Sequence, residues 1–262
     1  MIRHKFSQVF LANRSVADRV VRELLNHSSS NRVLEIGPGK GALTSVLLSV
    51  GCEVVAVEID KDLASDLKKL HGPLTVIQDS ILNHNPYAVV DKPAVVIGSL
   101  PYHLSGAILR WTADYADYIS MAVFILQDEV VGRIGALPGD RKRGLLSVVM
   151  QSVYDVSPLF RISPGSFYPR PQVWSRVVRL NRGGTSASVS SMRPVWDVAS
   201  LLFRQRRKMI GGLLSRVYGK DVVEHIKALG VDLTRRPETL TLPELEMITQ
   251  VIQEMKYKSG TA

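Results

Sequence analysis

Residues 33–44 have the sequence VLEIGPGKGALT, and this stretch decides the fold class. An apolar run ends at Gly37, and further glycines follow at alternate positions, Gly39 and Gly41. Glycines spaced in this way let the backbone turn tightly and approach a ligand without interference from Cβ atoms. The stretch therefore predicts a strand, a glycine-rich turn and a helix, as in a nucleotide-binding α/β sheet.

On both sides of this turn, apolar runs alternate with helical patterns. We predict strands at 31–36, 53–58, 74–77, 94–98 and 119–126, and late strands at 153–162 and 173–180 that close the sheet edge. Helical patterns occur at 14–25, 41–50, 61–70, 103–112 and 127–136. This alternation favours parallel βαβ units in a doubly wound sheet.

The composition changes after the last predicted strand. Residues 181–192 (NRGGTSASVSSM) are rich in glycine and serine and predict a linker. The stretch 195–256 contains only helical patterns, and we expect breaks in them at Gly211–Gly212, Gly219, Gly230 and Pro237. We therefore predict an α/β domain over 1–183 and a small all-α domain over 184–262.

Composition limits the classes of function. The 262 residues carry a formal net charge of +9, which favours a polyanionic partner such as a nucleic acid. The lone cysteine, Cys52, excludes a disulfide framework and a cysteine-rich zinc site. No apolar run approaches the roughly 20 residues of a membrane span, and the N-terminus lacks a signal-peptide pattern. We expect a cytoplasmic, monomeric protein without a metal or a membrane partner.

Two acids follow the next predicted strands. Glu58 ends the strand after the glycine-rich turn, where a carboxylate can bind the ribose of NAD or of S-adenosylmethionine. The spacing GxGxG instead of GxGxxG, and the missing N–H of Pro38, disfavour a dinucleotide. Asp79 ends a further strand, where it can accept from an adenine amino group, although such a residue alone is often a helix N-cap.

The predicted strand 94–98 leads into Ser99-Leu100-Pro101-Tyr102, which resembles the motif of amino-methyltransferases. The lone pair of an adenine amino nitrogen is delocalised into the ring. The side-chain oxygen at position 99 and the carbonyl of Leu100 can accept its two N–H groups and turn the lone pair toward a methyl donor. Pro101 stiffens the turn, and Tyr102 can stack on a base taken out of its helix.

Taken together, these blocks resemble the ribosomal RNA adenine N6,N6-dimethyltransferase family. Further matching blocks are KFSQVFL at 5–11, LQDEVVGRI at 126–134, PGDRKRGLLSVVMQ at 138–151, PGSFYPRPQVWSRVVRL at 164–180 and FRQRRKMI at 203–210. The resemblance implies a class I, Rossmann-like methyltransferase sheet with a helical C-terminal domain, and S-adenosyl-L-methionine as cofactor. It implies two adjacent adenines in the 3′-terminal hairpin of small-subunit ribosomal RNA as substrate, dimethylated during ribosome assembly.

The resemblance also implies roles for individual residues. Phe167 is expected to offer a second stacking face for the target base. The predicted cofactor residues are Gln8, Val9, Leu11, Gly37, Gly39, Gly41, Glu58, Asp79 and Ser99. The family usually has asparagine where this chain has Ser99, and a polar residue where it has Val9.

Basic clusters provide candidate RNA contacts, because lysine and arginine position a nucleic acid through its phosphates. We predict that the RNA-facing residues are Arg141, Lys142, Arg143, Arg204, Arg206, Arg207 and Lys208. Arg206 and Arg207 are alternatively expected to hold the two domains together.

Three other functions stay open at this stage. Ser99 is compatible with an RNA-binding ribosome assembly factor whose methyltransferase activity is reduced or lost. A second alternative is a resistance-type methyltransferase that acts on large-subunit RNA. A NAD-dependent oxidoreductase is disfavoured by the glycine spacing and by the 99–102 motif.

Overall fold

The computed structural model describes residues 9–90, 94–183 and 187–258. The described residues form two compact units. The first contains residues of 1–132 and 154–186, and the second contains residues of 133–153 and 187–262. Within the described ranges, no helix has the length and apolar character that a membrane span requires.

Helices and strands alternate through the first half of the chain, as the sequence predicts. They are β1 (Phe10–Leu11), α1 (Arg14–Leu25), β2 (Arg32–Ile36), α2 (Ala42–Ser49), β3 (Glu53–Glu58), α3 (Lys61–Leu67), β4 (Leu74–Gln78), β5 (Ala94–Ser99), α4 (Ser105–Asp114) and β6 (Ile119–Gln127). The later elements are α5 (Asp128–Ile134), α6 (Leu145–Val153), β7 (Asp155–Ile162), β8 (Phe167–Tyr168), β9 (Ser175–Asn181), α7 (Val189–Phe203), α8 (Ile210–Tyr218), α9 (Lys220–Ala228) and α10 (Leu242–Lys258).

The central sheet of the first unit has the strand order β4-β3-β2-β5-β6-β9-β7. The neighbours from β4 to β6 are parallel, whereas β9 runs antiparallel to both β6 and β7. The late strands thus close one edge, as predicted. The strand order reverses between β2 and β5, and in a doubly wound sheet ligands bind at the carboxyl ends of the strands at such a point.

Packing of β2 against β5 brings two backbones unusually close. A Cβ atom at Gly98 would lie 2.6 Å from the carbonyl oxygen of Ile36, so β5 accepts only glycine at this position near its end. The strands are buried on both faces, and α1 contributes Ala17, Val20 and Leu24 to the same core. This core holds the carboxyl ends of β2 and β5 side by side.

The second unit is helical. Helix α6 belongs to it together with α7–α10, and the Trp196 indole donates a 2.8 Å hydrogen bond to the Ser152 hydroxyl. The segment 133–153 therefore packs with the C-terminal helices, although it precedes the boundary we expected after residue 183. The division into functional domains at 183 and 184 stays a prediction.

Two sequence expectations about this unit are wrong. The expected linker 181–192 is in part regular structure, because α7 starts at Val189, where the Ser188 hydroxyl accepts the N–H of Ser191 as a helix cap. Residues 184–186 of that segment lie outside the described residues. The expected break at Gly211–Gly212 is also wrong, because both glycines lie in α8. The Gly211 N–H donates to the Leu233 carbonyl at 2.9 Å, and a Cβ at 211 would lie only 3.0 Å from that of Leu233, so glycine suits this close contact.

Candidate active site

A cavity of the first unit lies at the carboxyl ends of the parallel strands. It has a volume of about 220 Å³. The predicted site residues that line it are Val9, Gly37, Gly39, Glu58, Asp79, Ser99 and Pro101. Ile59, Ile81, Leu82 and Ile108 also line it, so apolar side chains surround the acids. Gln8, a predicted cofactor residue, lies outside the described residues.

The glycine-rich turn forms one wall of this cavity. Gly37, Gly39 and Gly41 have φ angles of 64°, 57° and 76°, in the left-handed region that favours glycine. A Cβ at Gly39 would lie 2.8 Å from Cδ1 of Phe10, which covers the turn. Gly41 does not line the cavity, and a Cβ there would lie 3.0 Å from Cδ2 of Leu67. It therefore has a packing role in addition to its place in the turn.

Glu58 is held in one orientation at the end of β3. Its side chain is buried, and its two oxygens accept the N–H groups of Gly39 at 3.0 Å and Asp60 at 2.9 Å. Burial raises the pKa of Glu58 above its ordinary value, while the two backbone donors lower it. The carboxylate oxygens keep further lone pairs, so they can still accept hydroxyl groups of a ligand.

Asp79 lies just after β4 and has three hydrogen-bond partners. Oδ1 accepts the N–H of Ser80 at 2.6 Å and the Asn83 amide at 2.8 Å, and Oδ2 lies 3.0 Å from Nε2 of His84. The N–H of Ser80, followed by Asn83 and His84, lowers the pKa of Asp79. His84 was not predicted as a site residue, because no spacing pattern in the sequence links it to Asp79.

The turn 99–102 follows β5 at the same edge of the sheet. The Leu100 N–H donates to the Ile125 carbonyl at 3.1 Å, which fixes the turn to β6. The carbonyl of Pro101 accepts the Leu104 N–H at 3.0 Å, and that of Tyr102 accepts the Ser105 hydroxyl at 2.9 Å. The turn is therefore anchored at both ends.

A second cavity, of about 10 Å³, is also lined by this turn. It is lined by Val9, Ser99, Leu100, Tyr102, Phe167 and Ser175, among others. The hydroxyls of Tyr102 and Ser175 are 3.1 Å apart, and Phe167 is only 5 % exposed. Ser175, which positions the Tyr102 ring, is a further residue that the sequence analysis missed. Ser99 lines both this cavity and the larger one.

A two-stranded sheet brings the N-terminal segment to this cavity. Strand β1 pairs antiparallel with β8, so that Phe10 lies opposite Tyr168 and Leu11 lies opposite Phe167. Leu11 does not line the 220 Å³ cavity, but it lines a small one of about 20 Å³ beside the glycine-rich turn. The block KFSQVFL at 5–11 contains Phe10, yet nothing in the sequence indicates that this ring covers Gly39.

Glu35, which the sequence analysis left without a role, is buried beside the same turn. Its Oε2 accepts a 2.6 Å hydrogen bond from the hydroxyl of Thr44, which is also fully buried. Burial raises the pKa of Glu35 to about 7. The pair ties strand β2 to helix α2 across the base of the glycine-rich turn.

In the second unit, the two predicted basic clusters lie together. Arg206 donates a 2.7 Å hydrogen bond to the carbonyl of Arg141. Arg141, Lys142 and the run 204–208 are exposed. Arg206 thus connects the segment before α6 to the C-terminal helices within one compact unit. A surface with this charge is suited to phosphate contacts.

Arg143 contradicts the prediction that it faces RNA. Its side chain is 2 % exposed, and its guanidinium donates to the Ala136 carbonyl at 2.9 Å and to Oε1 of Gln151 at 2.8 Å. Burial lowers its pKa. Because the guanidinium is turned inward to hold the loop before α6, it is not available to a phosphate.

Comparison with known proteins decides the family. The model of the ribosomal RNA adenine dimethylase family matches residues 1–254. The chain belongs to this family. It is 34 % identical over 258 residues to a ribosomal RNA small subunit methyltransferase A of Hahella chejuensis, covering 96 % of this chain and 93 % of the relative. It is 36 % identical to the protein of the same name from Leptothrix cholodnii, over 98 % and 94 % of the two chains.

Solved structures agree with this family on the fold. A dimethyladenosine transferase from Plasmodium falciparum superposes with a TM-score of 0.74 at 21 % identity, over 96 % of this chain and 98 % of the other. The 23S rRNA methyltransferase ErmE superposes with a TM-score of 0.70 at 25 % identity, over 93 % and 99 %. The predicted class I methyltransferase fold with a helical C-terminal region is confirmed.

Membership of this family makes the chain an enzyme, an rRNA adenine dimethyltransferase that uses S-adenosyl-L-methionine. The cavity fits this cofactor. Glu58, which is buried and keeps free lone pairs, and Asp79, which follows β4, both line it. Apolar side chains line it together with these two acids. Together these groups match the hydroxyls of a ribose, the amino group of an adenine and the apolar faces of its ring. The roles of individual residues remain predictions.

Proposed function

We propose that this enzyme dimethylates N6 of two adjacent adenines in the 3′-terminal hairpin of small-subunit ribosomal RNA during ribosome assembly. One observation supports it above all. Ser99 lines both the cavity that holds Glu58 and Asp79 and the smaller cavity that holds Tyr102 and Phe167. Val9 and Pro101 also line both cavities, so the cofactor end and the base end of a methyl-transfer site meet around Ser99.

Within the larger cavity, Glu58 binds the ribose hydroxyls and Asp79 accepts the adenine amino group of the cofactor. The N–H groups of Gly39 and Asp60 and the imidazole of His84 hold the two carboxylates in place. Bound S-adenosylmethionine supplies an electrophilic methyl group. The glycine-rich turn and Phe10, which packs against Gly39, would form one wall of its site.

At the turn that lines the smaller cavity, the Ser99 hydroxyl and the Leu100 carbonyl accept the two N–H groups of the target adenine. This cavity, of about 10 Å³, has the size of a water molecule, so its walls must move apart to admit the base. The Pro101 and Tyr102 carbonyls are already hydrogen-bonded within the turn, which supports this assignment. The nitrogen lone pair is then directed toward the methyl group, an effect of orientation and electrostatics. Tyr102 and Phe167 enclose the flipped base.

The basic surface of the second unit binds the RNA backbone. Its proposed contacts are Arg141, Lys142, Arg204, Arg206, Arg207 and Lys208, which are exposed in the structure. A net charge of +9 adds sequence-independent affinity for RNA. We expect the enzyme to act as a monomer in the cytoplasm on a precursor of the small ribosomal subunit.

Identity with relatives favours the small subunit over the large one. The relatives at 34 % and 36 % identity are named for the small subunit, whereas ErmE, named for 23S rRNA, is 25 % identical. The test is transfer of labelled methyl groups from S-adenosylmethionine to small or large subunits that lack the modification. We expect label in small-subunit RNA, and preferential labelling of the large subunit would contradict the assignment.

Ser99 favours one alternative, an RNA-binding assembly factor with reduced or lost activity. Serine presents one oxygen on a shorter arm than the asparagine usual in the family, and its own O–H needs an acceptor. The same experiment distinguishes the two functions. Small subunits that bind the protein and its cofactor without becoming labelled would favour the assembly factor.

A further inference from the structure

Two large aromatic side chains are exposed beside the smaller cavity. Tyr168 is 67 % exposed and Trp174 is 51 % exposed. They bracket the short segment 169–173, which connects β8 to β9 in the first unit. Burying such rings is strongly favourable, so two exposed rings on one short segment offer a surface to a partner.

Each ring is the direct neighbour of a residue that lines the smaller cavity. Tyr168 follows the buried Phe167, and Trp174 precedes the fully buried Ser175. Successive side chains of an extended backbone point to opposite sides. The Trp174 carbonyl accepts the Asp128 N–H at 3.0 Å, which fixes the backbone there. Each exposed ring is therefore one residue away from the lining of the smaller cavity.

Positive charge accompanies these rings. Nζ of Lys40 lies 5.7 Å from the centre of the Tyr168 ring and 5.2 Å from that of Phe10, within the range of cation–π contacts. Arg170 is exposed on the segment between the rings, and residues 163–176 contain no acidic residue. The partner is therefore expected to combine negative charge with flat faces.

We propose that Tyr168 and Trp174 form a stacking platform for the unpaired nucleotides that flank the target adenine. This inference rests on the proposed function. Unpaired RNA bases stack on aromatic side chains independently of the nucleotide sequence, while lysine and arginine neutralise the adjacent phosphates. Asp128, whose N–H meets the Trp174 carbonyl, has its carboxylate paired with Arg161 and Arg176. Aromatic faces and adjacent cations therefore favour RNA over a protein partner at this surface.

Trp174 provides its own probe. The chain has three tryptophans, and Trp111 and Trp196 are 6 % and 1 % exposed. The emission of Trp174 can therefore be followed while an RNA hairpin with two adjacent unpaired adenines is added to the full-length protein. We expect quenching that saturates, and we expect it to disappear in Trp174→Phe.

Affinity supplies the second measurement. We expect Trp174→Ala and Tyr168→Ala to bind the hairpin about fivefold to a hundredfold more weakly, with unchanged affinity for S-adenosylmethionine. Trp174→Phe, which keeps a ring, restores most of the RNA affinity. Tyr257→Ala is the matched control, since Tyr257 is 85 % exposed on α10 of the second unit, and its affinity is expected to be unchanged.

The absence of quenching, or unchanged RNA affinity in both alanine variants, would overturn the platform. A defect seen only with assembled subunits, and not with the protein-free hairpin, would assign the surface to a protein partner and overturn it too. These results are distinct from failure of the proposed function. If the proposed function fails, the wild-type enzyme itself does not methylate the hairpin or the small subunit.

Discussion

The backbone N–H of Gly39 donates a 3.0 Å hydrogen bond to Oε2 of Glu58, a residue 19 positions later in the chain. This bond joins the glycine-rich turn after β2 to the acid that ends β3. It fixes the carboxylate at the cavity wall, so the cost of orienting the acid is met by the fold before a ligand arrives.

Replacing Glu58 tests the ribose contact. We expect Glu58→Ala to weaken the binding of S-adenosylmethionine about tenfold to a hundredfold, because hydrogen bonds to a charged group contribute about 1.5–3 kcal/mol. Titration calorimetry measures this. Asp66→Ala, on the neighbouring helix and 69 % exposed, is the control. Wild-type affinity in Glu58→Ala would remove Glu58 from the cofactor site.

Replacing His84 tests whether it positions Asp79. We expect His84→Ala to weaken cofactor binding about fivefold, with a smaller preference for adenine over hypoxanthine in the cofactor's base, since one orienting hydrogen bond contributes about 1 kcal/mol. The exposed His71, which precedes β4, provides the control variant His71→Ala. If His84→Ala discriminates between the two bases as well as the unmodified enzyme, the role of His84 is structural.

Substitutions at Tyr102 separate stacking from hydrogen bonding. We expect Tyr102→Ala to lower methylation about fivefold to a hundredfold while cofactor affinity is retained, because stacking contributes about 1–3 kcal/mol per base. Tyr102→Phe keeps the ring and loses only the contact with Ser175, so its rate should stay within a few-fold of the original. Equal loss in both variants would contradict a stacking role.

The buried Glu35 predicts a pH effect on stability. Its pKa rises from an ordinary value of 4.5 to about 7, so the native state holds an extra proton in this window and the free energy of unfolding falls as pH rises. Glu35→Gln cannot ionise. We expect its stability relative to the wild type to increase by up to about 3 kcal/mol from pH 4 to pH 8. Urea unfolding at a series of pH values measures this, and Glu53→Gln, at a half-exposed position, is the control. If the unfolding free energies of Glu35→Gln and the wild type change with pH in parallel, the prediction is contradicted.

The basic residues of the second unit divide into two kinds. We expect Lys142→Ala and Arg207→Ala each to lower the slope of log affinity for RNA against log salt by about 0.7–0.9, since each removes one phosphate contact. Arg143→Ala should leave that slope unchanged and destabilise the fold by about 3 kcal/mol, because its partners lose a buried donor. A reduced salt dependence of RNA affinity in Arg143→Ala would show that Arg143 does contact the RNA.

The sequence predicts the fold well because periodicity reports burial. The strands 53–58 and 94–98 correspond to β3 and β5 almost to the residue, since both are buried on two faces and therefore continuously apolar. Local composition misled at 181–192 and at Gly211, where tertiary contacts set the structure. Ser188 caps α7, and Gly211 allows the close contact with Leu233.

The sequence predicts those site residues that lie at the carboxyl ends of parallel strands. Glu58, Asp79 and Ser99 each end or follow a parallel strand, so topology alone brings them to one edge. Contacts between distant segments carried no such signal. His84 pairs with Asp79 only through a short 3₁₀ turn, and Ser175 reaches Tyr102 from 73 residues away. Arg143 looked like its exposed neighbours because burial of one residue in a loop has no periodicity.

The most direct measurement is nucleoside analysis of small-subunit RNA after incubation with the enzyme and S-adenosylmethionine. Subunits that lack the modification are digested, and the methylated adenosines are separated and weighed by mass spectrometry. We predict N6,N6-dimethyladenosine, which forms through a transient monomethyl intermediate and is greatly reduced with Tyr102→Ala. Subunits that bind both enzyme and cofactor yet yield no methylated adenosine would contradict methyl transfer at Ser99–Tyr102.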